Sequence, residues 1–252
     1  MPHAHTPLAF YAHLMKMRLL SLVTLLAVLL FAACGEGGVV RAQGTVSLRA
    51  GWTNVAYGGE SAPVDLALSN VQAAVEAVWW WDAAAQAWQA YFPAGPALLS
   101  SLARFERDQA YWIRVAQDVA WAPIARVDFE RGSVAIERAG GDPATVPVEL
   151  ADSSPQRSRG LMFRASLPAE EGMLFRFAAD TTGGFWMQNT LVPLSIAFID
   201  AAGRIVDIQD MEPLTTTAHA PPSAYRWTLE MNQGWFAAAG VAAGDTVRLL
   251  EG

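Results

Sequence analysis

Residues 185–200 read F-W-M-Q-N-T-L-V-P-L-S-I-A-F-I-D, and this stretch decides the fold of the C-terminal half of the chain. Leu194, Ile196 and Phe198 alternate with the residues between them as far as Asp200, which is the spacing of a β-strand with one strongly apolar face. Pro193 fits the first position of such a strand, because proline cannot donate a hydrogen bond to a sheet ladder. The stretch therefore predicts a strand over 194–200.

Polar side chains interrupt the apolar residues earlier in the same stretch. The glycines at 183 and 184 indicate a turn, 185–187 is predicted as a short strand, and Gln188, Asn189 and Thr190 follow. One interpretation is a simple turn in which Asn and Thr bond neighbouring backbone. The other is a shallow pocket for a ligand, lined by Trp186 and the three polar residues, with Arg159 as a further candidate.

The C-terminal half carries several signatures in a fixed order that together resemble a known family. Besides 185–200 they are R-G-L-M-F-R at 159–164, E-G-M-L-F-R-F at 171–177, E-P-L-T-T-T at 212–217, residues 225–230, and G-D-T-V at 244–247. Over roughly residues 126–252 the chain resembles the bacterial and archaeal family catalogued as domain of unknown function family 192 (DUF192). The resemblance implies a compact, mostly antiparallel β domain of sandwich or jelly-roll character, without an established molecular function.

One position departs from the family pattern. Many members carry an aspartate after the Pro-Leu pair, and this chain has Ser195. A catalytic or metal-binding carboxylate would be lost here, whereas an aspartate that only caps a turn is replaced by serine at small cost.

The N-terminus has the pattern of a targeting signal. Arg18 precedes an apolar run of about a dozen residues from Leu19 to Phe31, which is too short to span a membrane comfortably, and Cys34 follows two alanines. We interpret 1–33 as a lipoprotein signal, Cys34 as the lipidated residue, and either Met1 or Met17 as the start. The alternative is a plain secretory signal or a short membrane anchor. Either signal would place the mature protein outside the cytoplasm, anchored to the cell membrane or secreted.

Charge and residue counts exclude several classes of function. Without residues 1–33 the chain keeps 15 arginines against 24 acidic residues, a net charge of −9, so we expect no binding of nucleic acid. His219 is then the only histidine and Cys34 the only cysteine, which rules out zinc sites of the Cys/His type and disulfides within one chain. No phosphate loop, dinucleotide fingerprint or calcium loop is present, so neither a cofactor nor a metal is predicted. His219 is interpreted as an exposed loop residue.

Residues 34–44 form a predicted tether, and 45–123 form a module with an unusual number of aromatic residues. Its strands are predicted from Gly51 to Val55 and at 110–115, with a hairpin between 77–81 and 87–92; spacing at 64–76 indicates one helix. This module is similar to a Trp-rich module that recurs in secreted proteins of some environmental bacteria. Its indoles either supply the core of a small domain that lacks disulfides, or bind carbohydrate. Alternation places Trp79 and Trp81 on one face and Trp80 on the other.

Three hypotheses on function follow for the mainly β protein, whose last domain is 124–252. The first is a non-catalytic envelope protein that binds a ligand, a cell-surface glycan or a protein partner, and it is favoured because no complete catalytic constellation is present. The second is an enzyme acting on glycans through a carboxylate pair, and the third is a carrier of small molecules or divalent ions that uses the same oxygen ligands. The carboxylates considered are Asp200, Asp207, Asp210, Glu212 and Glu230. Arg159 and Arg164 are expected to pair with Glu170 or Glu171, or else to bind an anion.

Overall fold

The computed structural model describes residues 40–42 and 44–250. The predicted signal peptide, Cys34 and the first part of the predicted tether lie outside the described residues. Within the described part of the chain, no helix combines the length and apolar character that crossing a membrane requires. The chain divides into two compact units, one formed by residues up to 59 together with 64–123, and the other by 60–63 together with 124–250.

In the first half of the chain, the described residues form nine short strands. They are β1 (Val40–Ala42), β2 (Val46–Leu48), β3 (Gly51–Tyr57), β4 (Ala62–Pro63), β5 (Val75–Asp82), β6 (Ala87–Tyr91), β7 (Arg104–Phe105), β8 (Ala110–Val115) and β9 (Val119–Trp121). Five of them form a sheet in the order β1-β3-β8-β5-β6, in which only the β1–β3 pair is parallel, and β2 pairs separately with β9. The predicted hairpin is β5–β6, with Trp81 opposite Trp88.

The predicted helix of this module is short. Helix α1 (Val64–Ala67) ends after one turn, and a 3-10 turn at Gln72–Ala74 leads into β5; a second 3-10 turn lies at Ala97–Leu99. The residues at 64, 67 and 68 are buried. Their spacing suggested a longer helix, but it arises because this segment packs against the core, and only part of it is helical.

Large aromatic rings form the core of the N-terminal unit. Tyr57, Phe105, Tyr111 and Trp121 are fully buried, and Tyr57 stacks on Trp121 with ring centroids 5.8 Å apart. The indole Nε1–H of Trp121 donates to the carbonyl of Ala67 at 2.8 Å, so its one polar group is satisfied. Rings of this size give a small unit the buried apolar area that it needs to fold.

The C-terminal unit is one curled sheet. Its strands are β10 (Glu130–Glu137), β11 (Ala144–Ala151), β12 (Gly172–Thr181), β13 (Leu194–Ile199), β14 (Ile205–Met211), β15 (Tyr225–Asn232) and β16 (Thr246–Leu250), with helices α2 (Ser154–Arg159) and α3 (Trp235–Ala238). The seven strands lie in the order β14-β13-β15-β12-β11-β10-β16 and curl into a half-barrel. The prediction of a mainly β protein is confirmed. The sheet is mixed, because β11 and β12 run parallel, and it is a single sheet where two packed sheets were expected.

The predicted strand at 194–200 is β13, and it is buried on both faces. Leu194, Ile196 and Phe198 pack in one core cluster, whereas Ala197 and Ile199 pack in a second cluster on the opposite face. All six residues of the strand are buried. The sequence indicated only one apolar face, and the difference arises because the curled sheet has a hydrophobic core on each side of this strand.

Ser195 is a structural residue in this strand. Its hydroxyl donates to Asp210 on β14 at 2.5 Å and accepts from the backbone N–H of Gly234 at 2.8 Å. Gly234 has a positive φ of 79° and immediately precedes α3. The serine thus orients the start of α3 and links it to the Asp210 carboxylate on β14.

Candidate functional site

An open pocket of about 330 Å³ lies in the C-terminal unit, at one end of the core cluster that contains Phe198. Three segments line it: α2 with the residues that follow it, β12 with the loop after it, and β15. The aromatic part of the lining is Phe175, Phe177, Phe185, Trp186 and Tyr225, and the charged part is Arg157, Arg159 and Glu230. The pocket therefore has apolar walls and few ionisable groups, which is the usual composition of a site for small molecules.

Local sequence explains why a helix borders the pocket. Ser153 accepts from the N–H of Gln156, the Gln156 side chain accepts from the N–H of Ser153, and Pro155 occupies the first turn. This is a capping box, which fixes the start of a helix only six residues long. The box holds Arg157 and Arg159 at the pocket.

Backbone hydrogen bonds hold the loop at 185–190 in place. Phe185 exchanges hydrogen bonds with His219 at 2.8 and 2.7 Å, and the N–H of Met187 donates to Thr215 at 2.9 Å. The short strand predicted at 185–187 is wrong, because only the isolated bridge at Phe185 forms. Backbone groups of Thr215 and His219, in the loop after β14, take the place of the neighbouring strand that a strand at 185–187 would need.

The structure brings some of the predicted ligand-binding residues together and separates others. Trp186, Thr190 and Arg159 all line the pocket; Trp186 is 53 % exposed and Thr190 is buried. Gln188 and Asn189 form the turn beside it, where Asn189 has a positive φ of 57°, and neither contributes to the lining. The N–H of Thr190 donates to the carbonyl of Met187 at 3.0 Å, which closes the predicted turn. The segment is therefore a turn, and two of its residues also line the pocket.

The two arginines of α2 differ in their partners. Arg159 donates to the carbonyl of Ala125 at 2.7 Å and pairs with Glu60 at 3.4 Å. Arg157 donates to the carbonyls of Asp152 and Arg176 and lies over the ring of Phe177 at 5.1 Å. Within the described ranges no carboxylate forms an ion pair with Arg157.

The predicted ion pairs with Glu170 or Glu171 are wrong. Arg159 pairs with Glu60, and Arg164 pairs with Glu149 at 2.5 Å. The Glu171 carboxylate is 3.4 Å from Arg131. Glu149 approaches Arg164 from strand β11, so the partner comes from a distant part of the sequence and not from the segment just before β12.

Glu230 supplies the only carboxyl among the described residues that line the pocket. It lies on β15 opposite Met173 on one side and Ile196 on the other, and is 5 % exposed. Among the described residues, none forms a hydrogen bond with the Glu230 side chain. Burial raises the pKa of Glu230 to about 8, and the nearby positive charge of Arg164 lowers it only in part. The carboxyl is thus mostly protonated at neutral pH.

A close contact between strands fixes the backbone at Glu230. The α-carbon of Gly172, on β12, is so close to β15 that a Cβ would come within 2.6 Å of the Glu230 carbonyl oxygen and would also collide with the sulfur of Met231. Only glycine permits this approach of two backbones. It explains why the signature at 171–177 contains a glycine just before its apolar residues.

The other candidate carboxylates have structural partners away from the pocket. The Asp200 carboxylate accepts from the N–H groups of Ala202 and Arg204, both at 2.9 Å, which closes the β13–β14 hairpin. The Asp207 carboxylate accepts a hydrogen bond from Gln209, the Asp210 carboxylate accepts one from Ser195, and the Glu212 carboxylate accepts one from Gln233. None of these four lines the pocket, so the carboxylate pair required by the glycan-hydrolysis hypothesis is not assembled there.

His219 is half-buried, whereas an exposed side chain was expected. Its Nδ1 lies 3.1 Å from the Gln209 side-chain oxygen, and its backbone forms the bridge to Phe185. No cluster of three or more His, Cys, Asp or Glu side chains suited to a metal ion occurs in the described part of the chain.

Comparison with known proteins identifies the C-terminal unit. The model of the family DUF192, described as "Uncharacterized ACR", matches residues 135–249. The crystal structure of a proposed transcription regulator from Sinorhizobium meliloti 1021 is 31 % identical over 50 % of this chain and 98 % of that chain, with a TM-score of 0.48. The chain belongs to the DUF192 family.

A second solved structure is also similar to this chain. It is a protein of unknown function from Novosphingobium aromaticivorans DSM 12444, 32 % identical over 46 % of this chain and 83 % of that chain, with a TM-score of 0.44. No curated protein matched the chain. The DUF192 match begins after the N-terminal unit, which therefore has no assignment from these comparisons.

Sequence reasoning missed most of the pocket lining in the DUF192 unit. Arg157, Phe177 and Tyr225 come from three segments that converge only in the folded sheet. A signal did exist for two of them, since Phe177 and Tyr225 lie in quoted family signatures, but nothing in those signatures shows that the rings face one space. From the sequence, Glu230 is a candidate for a carboxylate pair or for an oxygen ligand of a carrier, and neither prediction indicates that it is buried at a pocket.

The N-terminal unit has a separate cluster of indoles that remains the predicted place for a glycan. Trp81 and Trp79 both pack edge-on against Trp88, with ring centroids 5.4 and 6.3 Å apart, and Trp81 is 40 % exposed. Trp80 lies on the other face against Tyr111, as the alternation predicts. These indoles contact one another as well as solvent, so core packing and ligand contact both remain consistent with their positions.

Proposed function

We propose that this protein is a non-catalytic envelope protein whose DUF192 unit binds a small molecule in the pocket beside α2. One observation carries the proposal: the Glu230 carboxyl is almost completely buried, has no hydrogen-bond partner among the described residues, and faces an open space of about 330 Å³. A buried polar group without a partner costs stability, and such groups concentrate at functional sites.

The surrounding residues support binding as the role of this carboxyl. An apolar side chain at position 230 would continue the core formed by Met173 and Ile196, which face the same side of the sheet. The chain instead carries an ionisable group at the end of that core. A group of this kind gains its partner when a ligand fills the pocket.

Binding is favoured over catalysis because the other residues that line the pocket do not supply catalytic partners for Glu230. Among the described residues, the lining holds no second carboxyl, no histidine and no cysteine. A single carboxyl with two arginines and aromatic walls can orient a ligand through hydrogen bonds and charge, and it lacks the acid and base partners of a hydrolytic site.

A panel of small probes tests the pocket. We expect at least one of benzoate, benzamide, benzyl alcohol, benzylamine and glucose at millimolar concentration to raise the Tm by several degrees. Ser158→Trp should abolish that increase, because Ser158 lies in the lining and a bulky ring there occupies the space. The matched control is Ser223→Trp, on an exposed loop outside the lining. An unchanged Tm with all five probes, or an increase that persists in Ser158→Trp, would contradict the proposal.

We further propose that the protein reaches the cell envelope through its N-terminus, either lipid-anchored at Cys34 or secreted. The support is the short apolar run ending in small residues before the only cysteine of the chain. When the full chain is produced in a bacterium, we expect it in the membrane fraction, from which detergent extracts it and high salt does not. Cys34→Ala should move it out of that fraction. If both proteins distribute identically between fractions, lipid anchoring at Cys34 is wrong.

A further inference from the structure

We infer that the ligand of this pocket is a small organic acid with a compact apolar body, whose carboxylate docks between the buried Glu230 carboxyl and the positive charge of α2. The inference rests on the proposed binding function and specifies the chemistry of the molecule bound. Three features of the pocket support it: the aromatic walls, the positive charge of the lining, and the capacity of the Glu230 carboxyl to donate a hydrogen bond.

The walls favour a flat or compact apolar body. Phe185 packs edge-on against Phe175 with ring centroids 5.1 Å apart, and Phe177 packs edge-on against Tyr225 at 5.7 Å. These four rings all line the pocket, and Trp186 adds an exposed indole at its rim. Tyr225 donates its hydroxyl hydrogen to the carbonyl of Gly183 at 2.6 Å, so that hydroxyl is already engaged in holding the loop.

The charge of the lining favours an anion. Arg157 has only carbonyl partners and the ring of Phe177, so no carboxylate in the described ranges compensates its charge. Arg159 is paired with Glu60, at a distance of 3.4 Å. With Glu230 protonated, the net charge of the lining is positive, and an arginine without a carboxylate partner is well suited to bind one.

The charged and titratable groups around Glu230 define how it responds to pH. Arg164 is the nearby cation and is itself paired with Glu149 on β11, while Arg157, Arg159 and Tyr225 face the same pocket. Burial opposes ionisation of Glu230 until about pH 8. Below that pH the carboxyl has an O–H that donates to a ligand carboxylate; above it, two negative charges would meet inside the pocket.

This arrangement predicts proton-linked binding. The form of the protein that accepts the acid is the one with protonated Glu230, so the apparent Kd rises as that form is depleted. With the pKa at about 8, the affinity for benzoate should be about tenfold weaker at pH 9 than at pH 6. Benzamide has the same body without the charge, and its affinity should vary much less with pH.

Isothermal titration calorimetry of the full chain with benzoate, benzamide and benzylamine tests the inference. We expect benzoate to bind most tightly and benzylamine least. Glu230→Gln keeps a donor at that position and should bind benzoate without the loss between pH 6 and pH 9. Arg157→Gln should weaken benzoate at least several-fold with little effect on benzamide, whereas Arg157→Lys, which keeps the charge, should weaken it less.

The outcomes separate this inference from the proposed function. If benzylamine binds as tightly as benzoate, or if benzoate binding has the same pH dependence in wild type and Glu230→Gln, the organic-acid inference is wrong. In either case the pocket itself still stands, provided that Ser158→Trp blocks binding. If none of the probes binds at all, the small-molecule function and this inference fail together.

Discussion

Replacing Glu230 by glutamine is expected to stabilise the C-terminal unit above pH 8 by roughly 3–5 kcal/mol and to leave it nearly unchanged near pH 4.5. Burial raises the pKa of Glu230 from the ordinary 4.5 to about 8. Between these two values the unfolded chain releases a proton that the folded protein retains, so the stability of the wild type falls as pH rises through this window. Glutamine has nearly the same shape and no charge, so the variant does not lose stability as the pH rises through this window.

Native-state hydrogen exchange of the amides in β13 and β15 at pH 5, 7 and 9, corrected for the intrinsic exchange rate, measures this difference within the C-terminal unit. Glu212→Gln is the matched control, because Glu212 is exposed and should change stability by no more than about 0.5 kcal/mol. Equal stability of wild type and Glu230→Gln at pH 9 would show that Glu230 ionises there without cost, contrary to the structure.

Truncating Trp121 to alanine is expected to destabilise the N-terminal unit by about 3–5 kcal/mol. The indole is fully buried, stacks on Tyr57 at 5.8 Å and donates to the Ala67 carbonyl at 2.8 Å. Its removal leaves a large cavity and an unpaired backbone carbonyl. We expect hydrogen exchange to show loss of protection in β3 and β8, while β13 and β15 of the other unit stay protected.

Trp81→Ala is the control for this prediction. Trp81 is 40 % exposed and contacts Trp88 at the outer face of the hairpin, so its loss should cost only about 1 kcal/mol. If Trp121→Ala and Trp81→Ala reduce protection equally, the buried rings are not the main source of stability in this unit.

Local patterns predicted the elements whose identity depends on neighbours in sequence. The alternation over 194–200 predicted β13, and two aromatic runs separated by residues 82–86 predicted the β5–β6 hairpin. Both signals are period-two patterns bounded by turn residues, which depend little on the rest of the fold. The second apolar face of β13 was not predicted, because Ser195 and Ala197 look like an outward face until the curled sheet encloses a second core on that side.

The candidate site was less predictable, because its geometry is tertiary. Trp186 and Thr190 were recognised from polar residues set in an apolar run, and the structure places both in the lining. Gln188 looked equivalent in sequence, but it lies at the exposed end of the turn. The state of Glu230 depends on burial between β12 and β13, which no spacing within residues 225–230 reveals.

The protonation state of Glu230 can be measured by a carbon-13 NMR titration of the glutamate side-chain carboxyls, with the Glu230 resonance assigned by its absence in Glu230→Gln. If the Glu230 carboxyl is buried at the pocket and protonated at neutral pH, the midpoint of its titration lies near pH 8. A midpoint near the ordinary 4.5 would show a solvated or paired carboxylate and would contradict the account.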